Sequence, residues 1–362
     1  MQRMIPVFFI LFLLFSCKKS ESDFVWEKSY GKGQALFIQA SSDSGFIACG
    51  ELNGNPYFVR LNKSRSLIVD FKADKPGLFS SAWFDTTGYI IGGNSEGKML
   101  LMGYSPEGDV LWETLVDGGF KIDYTNLFYT GNGSFLAIGT ASPDSSASGA
   151  TGLLFVRFDK TGHITLQNKI AETTFVSANE AVVDNDGNIF LALTRKTNSA
   201  NPKASVAKYN YSFQKLWETE LYNNPEFGAG SLAIKSDGSG NLYIGGKTEA
   251  ATKDGKLNNS FIASLTNSGS IRWKKYFEIS NIGLSLIFDY SGNLMMMNKN
   301  CFIINIAQLS DGSDIGRLQM FSECVSANTD AYGSDLGINY DNNIYVAGSL
   351  GGNFFLALKS HL

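Results

Sequence analysis

The sequence has little histidine and lacks the metalloprotease and phosphate-binding motifs. Its two histidines are His163, in a KTGHI turn, and His361, beside the C-terminus. Two isolated histidines do not form a cluster with the spacing of a zinc site. HExxH and Walker sequences are also missing. The sequence therefore predicts no catalytic site, no metal site and no cofactor.

Positive charge is scarce as well. The chain carries 30 Lys and Arg against 34 Asp and Glu, a formal net charge of -4. Residues 1–16 contain one charge, Arg3, so the remainder carries -4 minus +1, or -5. This balance provides no basic surface for nucleic acid, which we exclude as a partner.

A long apolar run occurs at the N-terminus. It extends from Ile5 to Phe15, eleven residues, whereas a helix needs about 20 to cross a bilayer. Arg3 precedes the run and the small residue Ser16 follows it. This order is typical of a secretory signal, which we assign to residues 1–16.

The segment LFSC at 14–17 resembles the lipobox of bacterial lipoproteins. The resemblance implies that Cys17 becomes the first mature residue and is lipidated, with residues 17–23 as a short tether to the membrane. Lys18 and Lys19, in place of an aspartate, imply the outer membrane, on either its periplasmic or its cell-surface side. An ordinary cleaved signal with an incidental cysteine is the alternative.

The rest of the chain is built from an internal repeat. Seven short apolar segments recur at spacings of 43, 46, 54, 53, 52 and 50 residues, and a period near 50 is typical of a propeller or a solenoid. The segments are GFIACG (45–50), GYIIGG (88–93), SFLAIG (134–139), NIFLAL (188–193), NLYIGG (241–246), NLMMMN (293–298) and NIYVAG (343–348).

Each repeat divides into four predicted strands. In the second repeat they are residues 78–85, 88–93, 98–105 and 110–116, each an apolar run of strand length between turn residues. We therefore predict an all-β fold over residues 24–362, a seven-bladed β-propeller of four-stranded blades. A stacked β-solenoid is the alternative.

The N-terminal segment FVWEKSY (24–30) completes this arrangement. The seventh repeat supplies 331–341, 343–349 and 353–360, and no fourth strand follows. FVWEKSY resembles the segments that end the other repeats, so we predict that it is the outer strand of the last blade and closes the ring.

Loops and links on one predicted face form a candidate binding rim. Three loops between second and third strands are long and polar, at 140–152, 194–204 and 247–260. They carry lysines, and the links between blades carry aromatic residues that suit a sugar or a peptide. The candidate rim residues are Phe120, Tyr124, Phe175, Lys196, Lys203, Phe227, Lys253 and Tyr332. Harmless insertions and aromatic residues packed in the core are the alternative interpretation.

Acidic turns such as DNDGN (184–188) and DGSGN (237–241) recur between first and second strands. The first resembles the start of a calcium loop, but the position that should hold a closing glutamate is Arg195. Asp, Asn and Gly also stabilise turns through local hydrogen bonds, and the recurrence at one position of the repeat favours this interpretation.

Three cysteines follow Cys17. Cys49 lies in a second strand and is predicted to be a buried thiol. Cys301 and Cys324 fall about opposite each other in the sixth repeat. A disulfide between them is a hypothesis that an extracytoplasmic location permits.

The ends of the repeats resemble those of the PQQ-like (quinoprotein-like) propeller families. GDVLW (108–112) and GSIRW (269–273) carry the likeness, and FQKLW (213–217) keeps the tryptophan without the glycine. The quinoprotein dehydrogenases of this fold use a vicinal disulfide, and the sequence has no adjacent cysteines. The resemblance implies a blade and leaves the ligand open.

These observations favour a non-catalytic binding or scaffold lipoprotein that works with other envelope proteins. A surface glycan-binding lipoprotein is the second hypothesis, and a propeller-type lyase or hydrolase is the third.

Overall fold

The computed structural model describes residues 24–41, 43–140, 151–172, 175–196, 201–222, 229–248, 260–277, 283–289, 291–298, 303–308, 310–319, 331–339, 341 and 343–359. These residues form strands, turns and links, with no helix among them. The strands are β1 (Trp26–Ala40), β2 (Phe46–Leu52), β3 (Asn55–Leu61), β4 (Leu67–Lys72), β5 (Gly77–Asp85), β6 (Gly88–Ser95), β7 (Lys98–Tyr104), β8 (Val110–Val116), β9 (Tyr124–Gly131), β10 (Ser134–Thr140), β11 (Thr151–Asp159), β12 (Ile164–Glu172), β13 (Phe175–Val183), β14 (Ile189–Lys196), β15 (Lys203–Tyr209), β16 (Lys215–Tyr222), β17 (Ala229–Ser236), β18 (Leu242–Thr248), β19 (Ser260–Leu265), β20 (Ile271–Phe277), β21 (Gly283–Phe288), β22 (Leu294–Asn298), β23 (Ile303–Ala307), β24 (Asp314–Gln319), β25 (Ala331–Ile338), β26 (Ile344–Leu350) and β27 (Asn353–Lys359).

The strands pair antiparallel in chain order. Five sheets have four strands each: β5 to β8, β9 to β12, β13 to β16, β17 to β20 and β21 to β24. The remaining sheet has seven strands in the order β25-β26-β27-β1-β2-β3-β4, and β1 divides it into two halves. Below, the half with β2, β3 and β4 is called the first sheet, the half with β25, β26 and β27 is called the seventh sheet, and the four-stranded sheets are the second to the sixth in chain order. The all-β prediction is confirmed, and the recurring apolar segments all fall on second strands.

β1 is long because it pairs with two partners in succession. Its first half runs along β27, from Trp26 opposite Leu358 to Lys32 opposite Asn353. Its second half pairs with β2, from Gly33 opposite Leu52 to Ala40 opposite Phe46. The N-terminal strand therefore lies beside the C-terminal strand, the pairing that FVWEKSY predicts.

The core lies between neighbouring sheets. The second and third strands of a sheet are buried on both faces, as in β6 and β7, which explains their continuous apolar runs. Each buried cluster combines side chains of two successive sheets, and one of them joins β2 and β3 to β26 and β27. Fourth strands such as β8 alternate between exposed and half-buried residues.

A contact between tryptophan and glycine joins the outer parts of successive sheets. The Trp112 side chain on β8 donates a hydrogen bond from Nε1 to the Lys160 carbonyl, at 2.8 Å, in the turn after β11. A Cβ atom on Gly162 in that turn would lie 2.6 Å from the Trp112 ring. The same contact joins Trp217 to Gly269 and Trp273 to Gly312. This contact gives the recurring Gly and Trp residues a structural role.

Replacing Gly162 with alanine should destabilise the fold through this contact. Gly162 has a φ of 82° and Gly292 a φ of 80°, but only at Gly292 is there open space where a Cβ would stand. Both substitutions strain the backbone, and Gly162→Ala also displaces Trp112. We expect Gly162→Ala to cost about 1–3 kcal/mol more than Gly292→Ala in the free energy of unfolding, measured by chemical denaturation. Equal losses would show that the tryptophan contact contributes nothing.

Candidate functional site

The first strands of the sheets line a common cavity, called the channel below. β1, β5, β9, β13, β17, β21 and β25 contact one another in this order, and β25 also contacts β1. All seven contribute to the lining of a cavity of about 540 Å³. One part of the lining is polar, with Ser80, Ser81, Glu180, Lys235 and Asp335, and the rest is mainly apolar.

A β-bulge recurs in these first strands. It falls between Ala35 and Phe37 in β1, and at corresponding places in β5, β13, β17, β21 and β25. A bulge interrupts the ladder and leaves backbone groups to be satisfied by other partners. Side chains at the bulge of one sheet provide these partners for the next sheet.

The fourth and seventh sheets use acidic residues for this purpose. In β13, Glu180 accepts a hydrogen bond from the Ile234 amide of β17 at 2.9 Å, and Asn179 donates one to the Ser231 carbonyl at 2.7 Å. In β25, Asp335 accepts one from the Ile38 amide of β1 at 3.0 Å.

Other sheets use hydroxyl groups. Ser81 donates to the Thr125 carbonyl at 2.8 Å, and Ser80 accepts from the Thr125 amide at 3.0 Å. Ser285 accepts from the Leu336 amide at 3.3 Å and donates to Asp335 at 2.6 Å. Side chains bonded to backbone thus join β5 to β9, β13 to β17, β21 to β25 and β25 to β1 along the channel wall.

Lys235 interacts with the carboxylates of both Glu180 and Asp335, and the three groups form one electrostatic cluster. Its ammonium group forms an ion pair with Glu180, and both side chains are half-buried. Burial alone would lower the pKa of Lys235, but the charges of Glu180 and Asp335 outweigh it and raise that pKa. For Asp335, burial raises the pKa to about 6, against the lowering effect of Lys235 and the Ser285 hydrogen bond. The groups of this cluster hydrogen-bond to protein partners, which gives them a structural role.

The candidate rim is only partly described. Phe120 is 9% exposed and packs between the second and third sheets, so its ring belongs to the core. Tyr124 begins β9, opposite Thr140, and is 37% exposed.

The lysines of the rim differ in their surroundings. Lys196 is exposed at the end of β14. Lys203 begins β15 and forms an ion pair with Glu220 at 3.2 Å.

Two of the remaining predicted residues lie at the beginnings of first strands. Phe175 begins β13, with its backbone opposite that of Lys196, and Tyr332 is the second residue of β25. Phe227, Lys253, Cys17, Cys301 and Cys324 lie outside the described residues.

In the acidic turns, the aspartate side chain accepts hydrogen bonds from backbone amides of the same turn. Asp184 accepts hydrogen bonds from the amides of Asp186 and Asn188, at 3.0 and 2.8 Å, and from the Asn188 side chain. Asp237 and Asp289 make corresponding bonds. The described part of the chain contains no group of three or more His, Cys, Asp or Glu residues arranged to hold a metal ion.

Two further predictions concern single features of the chain. Cys49 is fully buried and unbonded, which confirms the buried thiol. Burial raises the pKa of this thiol, and the charge of Asp335 acts in the same direction. Within the described residues, no helical segment has the length and apolar character that crossing a membrane requires.

Two exposed apolar features were not predicted from the sequence. Tyr129 is 45% exposed and stacks on Trp83, with ring centroids 4.9 Å apart, beside the part of the channel lined by Ser81 and Phe128. Large aliphatic side chains are exposed at the beginnings of outer strands, including Leu67, Val110, Leu111, Leu216 and Ile271. The sequence did contain a signal for these exposed aliphatic side chains. In VLWETLV (110–116) apolar and polar residues are mixed, which indicates an outer strand with one face in solvent.

Comparisons with solved structures show the fold. The WD40 domain of Pan2 from Neurospora crassa superimposes with a TM-score of 0.60 at 10% sequence identity, over 92% of this chain and 90% of that domain. A protein of unknown function from Bacteroides caccae aligns with a TM-score of 0.40, also at 10% identity, over 89% of this chain and 84% of that one. No protein-family model matches the sequence, and no curated protein matches it. The chain has a WD40-like β-propeller fold.

The stability contribution of Asp335 should depend on pH. With its pKa raised to about 6, folded Asp335 keeps its proton up to about pH 6, whereas an unfolded aspartate loses it near pH 4. Between these values the folded state binds more protons, so this group makes the protein less stable as the pH rises. Asp335→Asn keeps an acceptor for the Ile38 amide and removes the titration.

The melting temperature of Asp335→Asn relative to the parent should therefore increase from pH 4 to pH 6 and level off above it. Taking the difference cancels the contributions of carboxylates that do not interact with Asp335. A difference that stays constant with pH would contradict the raised pKa.

Proposed function

We propose that this protein is a lipid-anchored β-propeller of the bacterial outer membrane that binds other envelope proteins without catalysis. The observation that carries the proposal is a set of exposed aliphatic side chains at the beginnings of the outer strands. We call them the perimeter aliphatics: Val25, Leu67, Ile68, Val110, Leu111, Leu216 and Ile271.

The perimeter aliphatics share one edge of the fold. Every sheet follows the same antiparallel order, so its fourth strand always starts at the edge that carries the turn after the third strand. Val25 precedes Trp26 at the start of the first half of β1, which occupies the place of a fourth strand beside β27. Leu111 is 62% exposed, and apolar side chains exposed together are typical of interaction surfaces.

The proposed anchor determines which partners reach this edge. Residues 18–23 join Cys17 to Phe24 and span at most about 20 Å at roughly 3.5 Å per residue. A lipid on Cys17 would therefore hold the edge with the perimeter aliphatics close to the bilayer. Membrane-associated envelope proteins are the partners that such a position favours.

The proposal includes a closed ring of seven blades. In support, seven first strands follow one another around the channel, and Asp335 of β25 accepts a hydrogen bond from Ile38 of β1. Gln34 of β1 also donates one to Ser334 at 2.7 Å. The last blade then consists of β25, β26, β27 and the first half of β1.

Deleting residues 24–30 should open this ring. The deletion removes Trp26 and Tyr30, which pack on the cluster between the last and first blades, and leaves β27 without its partner. We expect the melting temperature to fall by about 10 °C or more, with aggregation, because several kcal/mol of apolar burial are lost. Deleting residues 18–23 is the control and should leave the melting temperature unchanged. An unchanged value for both deletions would contradict closure.

Partner binding can be tested at the perimeter. The protein is purified from mildly solubilised outer membrane, and proteins recovered in stoichiometric amounts are identified by mass spectrometry. Leu111→Asp combined with Leu216→Asp should weaken recovery of the partner about 30-fold, the effect of losing interface residues worth roughly 2 kcal/mol. Leu115→Asp is a matched control, since Leu115 is also exposed on β8 but lies at the other end of the strand.

The anchor has its own test in the same preparation. Cys17→Ser should move the protein from the membrane fraction to the soluble fraction. Persistence in the membrane would contradict lipidation at Cys17, and equal recovery of partners by all variants would contradict a role for the perimeter aliphatics.

Glycan binding is a second candidate, favoured by the Trp83 and Tyr129 stack. The exposed Tyr129 ring offers an apolar face, and Lys160, 5.1 Å from the Trp83 ring centroid, forms an ion pair with Asp85 beside it. Recovery of the protein without any partner, together with glycan binding that Tyr129→Ala abolishes, would favour this candidate.

A further inference from the structure

Arg157 is a buried cation that has no counter-ion among the described residues. It lies on β11 and is 1% exposed. Its Nη2 donates a hydrogen bond to the Tyr211 carbonyl at 3.3 Å, while Nε and Nη1 are buried without a hydrogen-bond partner. The guanidinium carbon lies 3.7 Å from the centroid of the Tyr211 ring and 5.2 Å from that of Phe213.

Two other sheets carry a cation at the corresponding position of the third strand. Arg60 of β3 pairs with Ile47 of β2, Lys208 of β15 with Phe190 of β14, and Arg157 with Leu136 of β10. In each of the three sheets, the residue after the cation on the third strand pairs with the residue that carries the first buried apolar side chain of the second strand.

Both of those cations have an aspartate from the first turn of their own sheet. Arg60 forms an ion pair with Asp43 at 2.9 Å. Lys208 lies 4.0 Å from Asp184. The corresponding turn of the third sheet, residues 130–134, reads TGNGS and contains no carboxylate. Asp159, two residues after Arg157, accepts hydrogen bonds from Thr161 and His163 in its own turn.

The missing carboxylate leaves an unfavourable arrangement. A charge taken out of water is costly unless an opposite charge and hydrogen bonds compensate it. The aromatic rings compensate Arg157 in part. Burial lowers the pKa of Arg157, which agrees with a cation that lacks a counter-ion.

We propose that Arg157 is a binding site for a carboxylate group, with Tyr211 as its cover. A carboxylate is the group that Asp43 supplies to Arg60, and Arg157 has free donors on two nitrogen atoms to receive it. Tyr211 is 54% exposed and its ring lies against the guanidinium, so this side chain forms the solvent-facing part of the cover. Rotation of that side chain opens the site without breaking the bond to its carbonyl. The inference does not depend on the lipid anchor or on an envelope partner.

Acetate is the probe for this site. The melting temperature of the mature chain is followed as sodium acetate replaces sodium chloride at constant ionic strength, for the parent, Arg157→Met, Tyr211→Ala and Arg60→Met. The parent should gain stability in a saturable way, and Arg157→Met should show no gain. Arg60→Met is the matched control, because Arg60 already has Asp43, and it should respond like the parent.

Tyr211→Ala provides a second, independent test of the site if Arg157→Met does not fold. Removing the cover should lower the half-saturating acetate concentration by up to about tenfold. The proposal is overturned if the parent shows no saturable gain, if Arg157→Met responds like the parent, or if Tyr211→Ala leaves half-saturation unchanged. Stabilisation by phosphate but not by acetate would also overturn it.

A tetraglutamate peptide identifies the source of the carboxylate. Binding that is at least tenfold tighter than that of acetate, and is lost with Arg157, would assign the site to an acidic segment of a protein. Binding no tighter than that of acetate would assign it to a small free carboxylate.

Discussion

The structure depends on hydrogen bonds that run between sheets around the channel. A propeller sheet satisfies its own ladder, but bulges in six first strands interrupt it and leave backbone groups for the neighbouring sheet. Glu180, Asp335 and Ser285 supply the missing partners. Because the acceptors belong to one sheet and the amides to the next, relative rotation of two sheets breaks these bonds. The fold therefore has two sources of order: apolar packing between sheets, and polar contacts that fix the angle between them.

The period of the sequence predicted most of the fold because local chemistry determines it. The second strand of each repeat is apolar on both faces and ends in turns with Gly or Asn, so its position and type follow from composition. In the second sheet the predicted strand 110–116 coincides with β8, and 98–105 extends one residue beyond β7. The pairing of the N-terminal segment with β27 was also predictable, since its likeness to the other outer strands marks it as a fourth strand.

The candidate sites were less accessible to sequence reasoning because they depend on contacts between repeats. Glu180 and Asp335 are charged residues within apolar strands, a signal that could have indicated the channel cluster, yet their partners lie in other sheets. The burial of Phe120 depends on packing that its link does not reveal. Arg157 stands out only when its turn is compared with those of the first and fourth sheets, where Asp43 and Asp184 lie near the cation.

The contact between tryptophan and glycine has a direction. The donor surface, Trp112, and the acceptor surface, Gly162, are different parts of successive sheets, so the contact is heterologous in the sense used for oligomers. Heterologous contacts between separate subunits form a ring where the rotation closes and an open filament where it does not. In this chain the number of sheets is fixed covalently, and the last sheet meets the first through β1. A chain lacking that strand would present the two complementary ends of such a series on one molecule, which is the condition for head-to-tail assembly into filaments.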